Sequence, residues 1–166
     1  MKAVKPTPSK SILQALFLYQ DGKLFWKKSG NGRNVGDEAG MLTNKGYRRV
    51  KIDGLLHMAH RLVWAYHFDS VPEYIDHIDQ NKSNNAIGNL RLASRIENGR
   101  NISLRKNNTS GVKGVYWATR EQKWAAELSI NTRPHRLGYF DDIELAELVV
   151  TEARNKYHRE FANHGY

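Results

Sequence analysis

The stretch YIDHIDQNKSNNAIGNLRLASRIE, residues 74 to 97, restricts the possible folds more than any other part of the chain. Ser94-Arg95-Ile96-Glu97 has the spacing of a capping box, in which the serine oxygen accepts a free backbone N–H of the first turn while the glutamate reaches back to the cap residue. A helix therefore opens at Arg95, with Asn98, Asn101 and Ile102 in its first two turns. Upstream, Tyr74-Ile75-Asp76-His77-Ile78 reads as a strand, residues 79 to 88 as a long polar loop, and Asn89-Leu90-Arg91-Leu92-Ala93 as a returning strand. Strand, loop, strand and capped helix follow one another with nothing between them.

The flanking sequence is punctuated differently. From Leu16 onward, LFLY, LFWKK and YRRVKI are short strand patterns, and the Asp-Gly pairs at 21–22 and 53–54 suit tight hairpin turns because glycine accepts a positive φ. The glycine-rich SGNGRNVG between them lacks phosphate-cradle spacing and reads as a mobile loop. HMAHRLVWAYHF, residues 57 to 68, forms a short helix whose inward face is Met58, Leu62, Val63, Ala65 and Tyr66, ended by Val71-Pro72. His57 and His60 within it have no third ligand nearby and read as structural. After a polar linker at 106–111, GVKGVYWAT, KWAAELSI and RPHRLGYF give three strands. A helix capped by Asp141 or Asp142 then places Ile143, Ala146, Val149 or Val150, Ala153, Tyr157 and Phe161 on one face. The expected class is α+β, divided into an N-terminal β-meander with a short helix (1–70), a central unit (71–105), the linker, and a three-stranded antiparallel sheet plus one helix (112–166).

Charge points to a polyanion. The chain carries a formal +9, and residues 1–70 hold 12 Lys and Arg against 5 Asp and Glu, a balance suited to nucleic acid. Residues 106–140 hold 6 basic against 2 acidic side chains while residues 141–166 hold 3 against 6, which implies a basic face backed by an acidic one. With 0 cysteines there is neither a disulfide framework nor a thiolate zinc site. No apolar run is long enough to span a bilayer and the N-terminus lacks a secretory core, so the expectation is a cytoplasmic protein.

Phosphodiester hydrolysis needs a base that works near neutral pH and positive charge at the departing 3′ oxygen. Histidine supplies the first, and a Mg²⁺-like ion on oxygen ligands the second. On a strand, Asp76 and His77 point to opposite sides, so one can hold a metal while the other meets the attacking water. Asn98 on the capped helix offers a second oxygen, and Asn89 is positioned to orient the imidazole.

DHIDQNKSNNAIGNLRLASRIEN resembles the core of the HNH homing endonucleases, the ββα-metal nucleases of phage genomes and introns. The resemblance lies in the Asp-His pair, the asparagines at 84 and 85, Asn-Leu-Arg at 89–91 and Asn98; GYRRVKI and HRLVWAYHF are similar to the segment preceding that motif. It implies His77 as general base, Asn89 as the residue that positions it, and Asp76 and Asn98 as ligands of a divalent metal, Mg²⁺ first and Mn²⁺ second. Asn98 stands where other branches have a second histidine. SGVKGVYW, KWAAEL and RLGYF resemble the APETALA-type DNA-binding domain, whose sheet enters the major groove. That implies contacts to double-stranded DNA from Lys113, Tyr116, Glu127 and Arg136, with Arg120, Lys123 and Arg133 nearby, although Tyr116, Ala118 and Ser129 replace arginines of the plant domains. The expectation is a monomeric, metal-dependent DNA endonuclease in the cytoplasm of a bacterial host. The competing reading is a DNA-binding regulator that keeps the HNH fold without catalysis. A calcium loop at Asp79-x-Asn81-x-Ser83 is rejected because Asn84 and Leu90 occupy the positions that need glycine and glutamate.

Overall fold

A computed structural model describes residues 7–30, 32–68, 70–101, 104 and 107–165. The expectations for the MKAVKP start, Ile102 and Lys106 fall outside these residues. The chain divides into two compact units, Met1–Leu92 and Ala93–Tyr166, and its elements mix helix and strand in both.

In the first unit, α1 (Lys10–Leu16) leads into a hairpin of β1 (Phe17–Gln20) and β2 (Lys23–Trp26). A three-stranded antiparallel sheet follows, ordered β3 (Met41–Leu42), β4 (Arg48–Ile52), β5 (Leu55–Met58). Both Asp-Gly turns take positive φ at each central residue, +47° and +81° at Asp21 and Gly22, +47° and +78° at Asp53 and Gly54. That is the geometry whose twist matches the flanking strands. The sheet passes directly into α2 (Ala59–His67), which starts two residues later than the apolar pattern suggests because Leu55 to Met58 pair with β4. Ala59, Leu62, Val63, Trp64 and Ala65 of α2 are buried with Leu13, Phe17, Val50 and Ile52. Tyr66, expected among the inward residues, is only partly buried. β6 (Tyr74–His77) and β7 (Leu90–Ala93) pair as a two-stranded ladder, with a 3₁₀ turn at Ile87–Asn89 between them.

The second unit opens with α3 (Arg95–Arg100), whose capping box is complete: Glu97 N–H donates to Ser94 Oγ at 3.2 Å and Ser94 N–H donates to Glu97 Oε2 at 2.7 Å. The sheet is ordered β10 (Arg133–Phe140), β9 (Lys123–Ile130), β8 (Val115–Ala118), antiparallel throughout. α4 (Ile143–His158) covers one side, capped by Asp142, whose Oδ1 accepts from Glu144 N–H at 2.7 Å. Its buried residues are Ala146, Val150, Arg154 and His158. The expected Tyr157 is 44% exposed instead. Steps of four keep residues 146, 150, 154 and 158 on one stripe, and the two polar members are tolerated because each meets a carbonyl. Arg154 Nη2 donates to Lys113 O at 2.6 Å, and His158 Nε2 donates to Ser129 O at 2.9 Å.

Candidate active site and sheet face

Asp76 and His77, adjacent on β6, are both buried, 6% and 5% exposed, and their side chains have different partners. Asp76 Oδ2 accepts from Arg91 Nε at 2.9 Å and Nη2 at 2.8 Å. His77 Nε2 lies 3.0 Å from Asn85 Oδ1. The Asn85 amide is oriented by its other end, since Nδ2 donates to Ser83 O at 3.3 Å. With an oxygen facing it, Nε2 must carry the ring proton in the neutral imidazole, which leaves Nδ1 as the basic nitrogen. The ring plane is bounded by His60, edge-on at 5.2 Å between centroids, and by Tyr47 at 6.2 Å. Burial, then the neighbouring His77 and Arg61, lower the His60 pKa to about 3, so His60 is neutral at physiological pH.

The remaining asparagines tie the loop to itself. Asp79 Oδ1 accepts from Asn81 N–H and Asn89 Nδ2, both at 2.8 Å, and its Oδ2 accepts from Asn84 Nδ2 at 2.7 Å. Desolvation pushes the Asp79 carboxyl up, but the hydrogen bonds from Asn84, Asn89 and Asn81 outweigh it and hold the pKa below its ordinary value. Asn89 also donates to Asn84 O at 2.8 Å and accepts from Asp79 N–H at 3.1 Å. From its place on the return strand, Asn89 is expected to orient His77. In the structure, the hydrogen bond to the ring comes from Asn85, and Asn89 braces the loop that carries Asn85. Spacing alone does not separate the two, because either amide can fold back across a loop of this length.

The first hairpin supports that loop from outside. Tyr19 Oη accepts from Ile87 N–H at 3.0 Å. Gly22 is so close that a Cβ there would sit 2.4 Å from Ala86 N and 2.7 Å from Asn85 C. Nothing in the sequence connects residues 19–22 to the asparagines, so these contacts were not legible in it.

Asn98 lies exposed at the end of the first turn of α3, its N–H donating to Ser94 O at 2.9 Å. Among the described residues, no three His, Cys, Asp or Glu side chains converge. The Asp76 carboxylate and the Asn98 amide, expected from the sequence as metal ligands, are oxygen donors of the kind a hard cation prefers. The donor chemistry fits a hard divalent cation. Arg91 binds one oxygen of the Asp76 carboxylate, Oδ2.

In the second unit the residues of the expected DNA-binding face fall into two groups. Glu127 and Arg136 are paired across β9 and β10, and Tyr116, Ala125 and Tyr139 form a row two residues along β9, on the same face. A bulge between Arg136 and Gly138 brings Arg136 and Tyr139 to the same side of the sheet, a shift that re-aims a side chain. Arg136 donates to the hydroxyls of Tyr116 and Tyr139 and, at 3.2 Å, to Glu127 Oε2. A Cβ at Gly138 would lie 2.8 Å from the Phe140 ring, so a larger residue there would displace the ring. Arg120 and Arg133 are exposed, and Lys123 pairs with Asp141 at 3.1 Å. Lys113, expected from the sequence to contact DNA, donates through its ammonium to the carbonyls of Arg100 and Asn163, each at 3.1 Å. Burial, then Arg154, lowers its pKa to about 8, as expected of a partly desolvated amine tying backbone segments together.

Comparison with known proteins agrees with the central part of this reading. The sequence model of the HNH endonuclease family matches residues 57–100. The chain is 35% identical over 105 residues to Protein 3.8 of Escherichia phage T7, an alignment covering 62% of this chain and 86% of that protein. No solved structure matches. No helix among the described residues is long and apolar enough to cross a membrane. A segment with His77 on the first strand and a capped helix closing it, in a chain that shares this much sequence with a phage protein, leads to one assignment: the chain belongs to the family of phage T7 Protein 3.8 and carries an HNH endonuclease domain at residues 57–100.

Proposed function

We propose that the protein is a metal-dependent DNA endonuclease of the homing type, hydrolysing phosphodiester bonds at a recognised site on double-stranded DNA. The observation that carries this reading is the Nε2 hydrogen bond from His77 to Asn85, 3.0 Å long, inside the segment matched by the family. In this role His77 Nδ1 takes the proton of the attacking water, Asn85 holds the ring in the tautomer that leaves Nδ1 basic, and Asn89 keeps the loop in shape. Asp76 and Asn98 are the residues that would hold Mg²⁺ or Mn²⁺, whose charge, when bound, stabilises the departing 3′ oxygen. Tyr116, Glu127 and Arg136, with Arg120, Lys123 and Arg133, serve as the DNA-reading surface of an APETALA-type sheet. The protein acts as a monomer in the cytoplasm of a bacterial host.

The test is conversion of supercoiled plasmid to nicked or linear DNA. Wild type is expected to cleave with Mg²⁺ and not with EDTA, and His77→Ala to bind DNA without cleaving. A second reading, a DNA-binding regulator that keeps the fold, is favoured by the burial of His77 and by the Arg91 partner on Asp76. DNA binding by wild type with no divalent-dependent cleavage on any substrate selects that reading.

A further inference from the structure

The outer face of the sheet formed by β3, β4 and β5 bears a cleft of about 690 Å³. On β4, Val50 and Ile52 point into the core while Arg49 and Lys51 are exposed. Register places Met41 beside Arg49 and Leu56 beside Lys51, 73% and 54% exposed. Arg33 also lines it, its guanidinium carbon 3.6 Å from the centroid of the Trp26 ring.

The charges of this unit are unevenly matched. Glu38 binds Arg48 at 3.0 Å and Lys23 at 3.6 Å. Arg33, Arg49 and Lys51 make no ion pair among the described residues. Among the described residues Asp53 is the one acidic side chain lining the cleft, against Arg33, Arg49 and Lys51. Arg33 Nε is buried and finds no hydrogen-bond acceptor among the described residues. A cation held flat by an indole loses little freedom on binding an anion, and a buried donor without an acceptor favours one that brings oxygens.

We propose that this cleft is a contact site for the sugar-phosphate backbone of duplex DNA, with Arg49, Lys51 and Arg33 on phosphate oxygens and Met41 and Leu56 against deoxyribose. The proposal rests on the reading that the protein acts on DNA. It adds an anchoring surface on the first unit, built from different residues than those around His77. Phosphate contacts of this kind fix position on a duplex without reading sequence.

The test is the salt dependence of binding to a duplex in EDTA, where no cleavage occurs. Each phosphate contact contributes about 0.9 to the slope of log affinity against log salt, so Arg49→Ala/Lys51→Ala is expected to lower it by about 1.8. If the two contacts contribute nothing at 1 M salt, that corresponds to about 60-fold weaker binding at 0.1 M. Arg33→Ala should lower the slope by about 0.9 more, and the charge-preserving Arg49→Lys/Lys51→Arg should retain the wild-type slope. A wild-type slope in the folded double alanine variant overturns the proposal. So does a slope lost equally in the charge-preserving pair, or a change of oligomeric state in the alanine variant with DNA binding intact, which would make the cleft an interface between copies. A wild type that cleaves plasmid while the alanine variant keeps its slope removes the cleft and leaves the nuclease. The expected slope loss in a protein that never cleaves removes the nuclease and leaves the cleft.

Discussion

Replacing Asn85 with alanine tests the proposed active-site geometry most directly. Asn85 and His77 are 3% and 5% exposed and joined by one 3.0 Å hydrogen bond. The truncation leaves the ring N–H without its acceptor in a place water scarcely reaches, at a cost of about 1–3 kcal/mol. The ring remains walled by His60 and Tyr47, so it stays close to its position. What it loses is the bias toward the tautomer with a basic Nδ1. If that cost falls on the reacting state, single-turnover cleavage with Mg²⁺ and saturating enzyme should slow by about 5- to 150-fold. Asn85→Asp keeps an acceptor at the same atom and should lose far less than the alanine. Cleavage by Asn85→Ala at the wild-type rate, while His77→Ala is inactive, would refute the argument that this bond sets the working nitrogen. An equal loss in both Asn85 variants would show that the amide matters to loop shape and not as an acceptor.

Gly22→Ala should destabilise the protein by about 2–4 kcal/mol in denaturant unfolding and reduce cleavage with it, since the new Cβ meets backbone at 2.4 Å in a residue with φ of +81°; a loss below about 1 kcal/mol would mean the loop yields freely. With a folded pKa of about 3 against 6.5 unfolded, His60 binds its proton in the unfolded chain first. Its stabilising effect is therefore complete above pH 6.5 and declines as pH falls from there toward 3. His60→Phe should remove up to one proton from the pH dependence of unfolding near pH 5, and identical slopes in the two proteins would contradict a buried neutral ring. Arg136→Ala should weaken duplex binding and lower its salt slope by about one phosphate equivalent; an unchanged slope would mean that the tyrosines and Glu127 retain the guanidinium for the sheet alone.

Local rules made some of this architecture readable in advance. Ser94 and Glu97 stand at the spacing that makes both capping bonds, and β9 and β10 begin and end where turn residues interrupt alternating side chains. α1 escaped notice because its seven residues bury only Leu13 and its Ser9 cap makes no side-chain bond, so packing against the rest of the unit holds it. Arg154 and His158 occupy positions where a hydrophobicity pattern asks for apolar side chains, and only the carbonyls they meet explain them. The same limit applies to the asparagines. Composition shows that the loop from 79 to 89 is rich in hydrogen-bonding groups, but which amide reaches His77 depends on the path of the backbone, and that path is steered by Tyr19 and Gly22 from far away in sequence.

That last contact decides what can be cut away. The family match spans 57–100, yet the loop bearing the partner of His77 leans on a turn that ends 34 residues before that span begins. A fragment trimmed to the matched borders would contain both histidine and asparagine and lack the hairpin that packs against Asn85 and Ala86. Portability of this HNH unit is thus bounded by its first hairpin, and any chimera that moves it into another protein should bring residues 17–26 along.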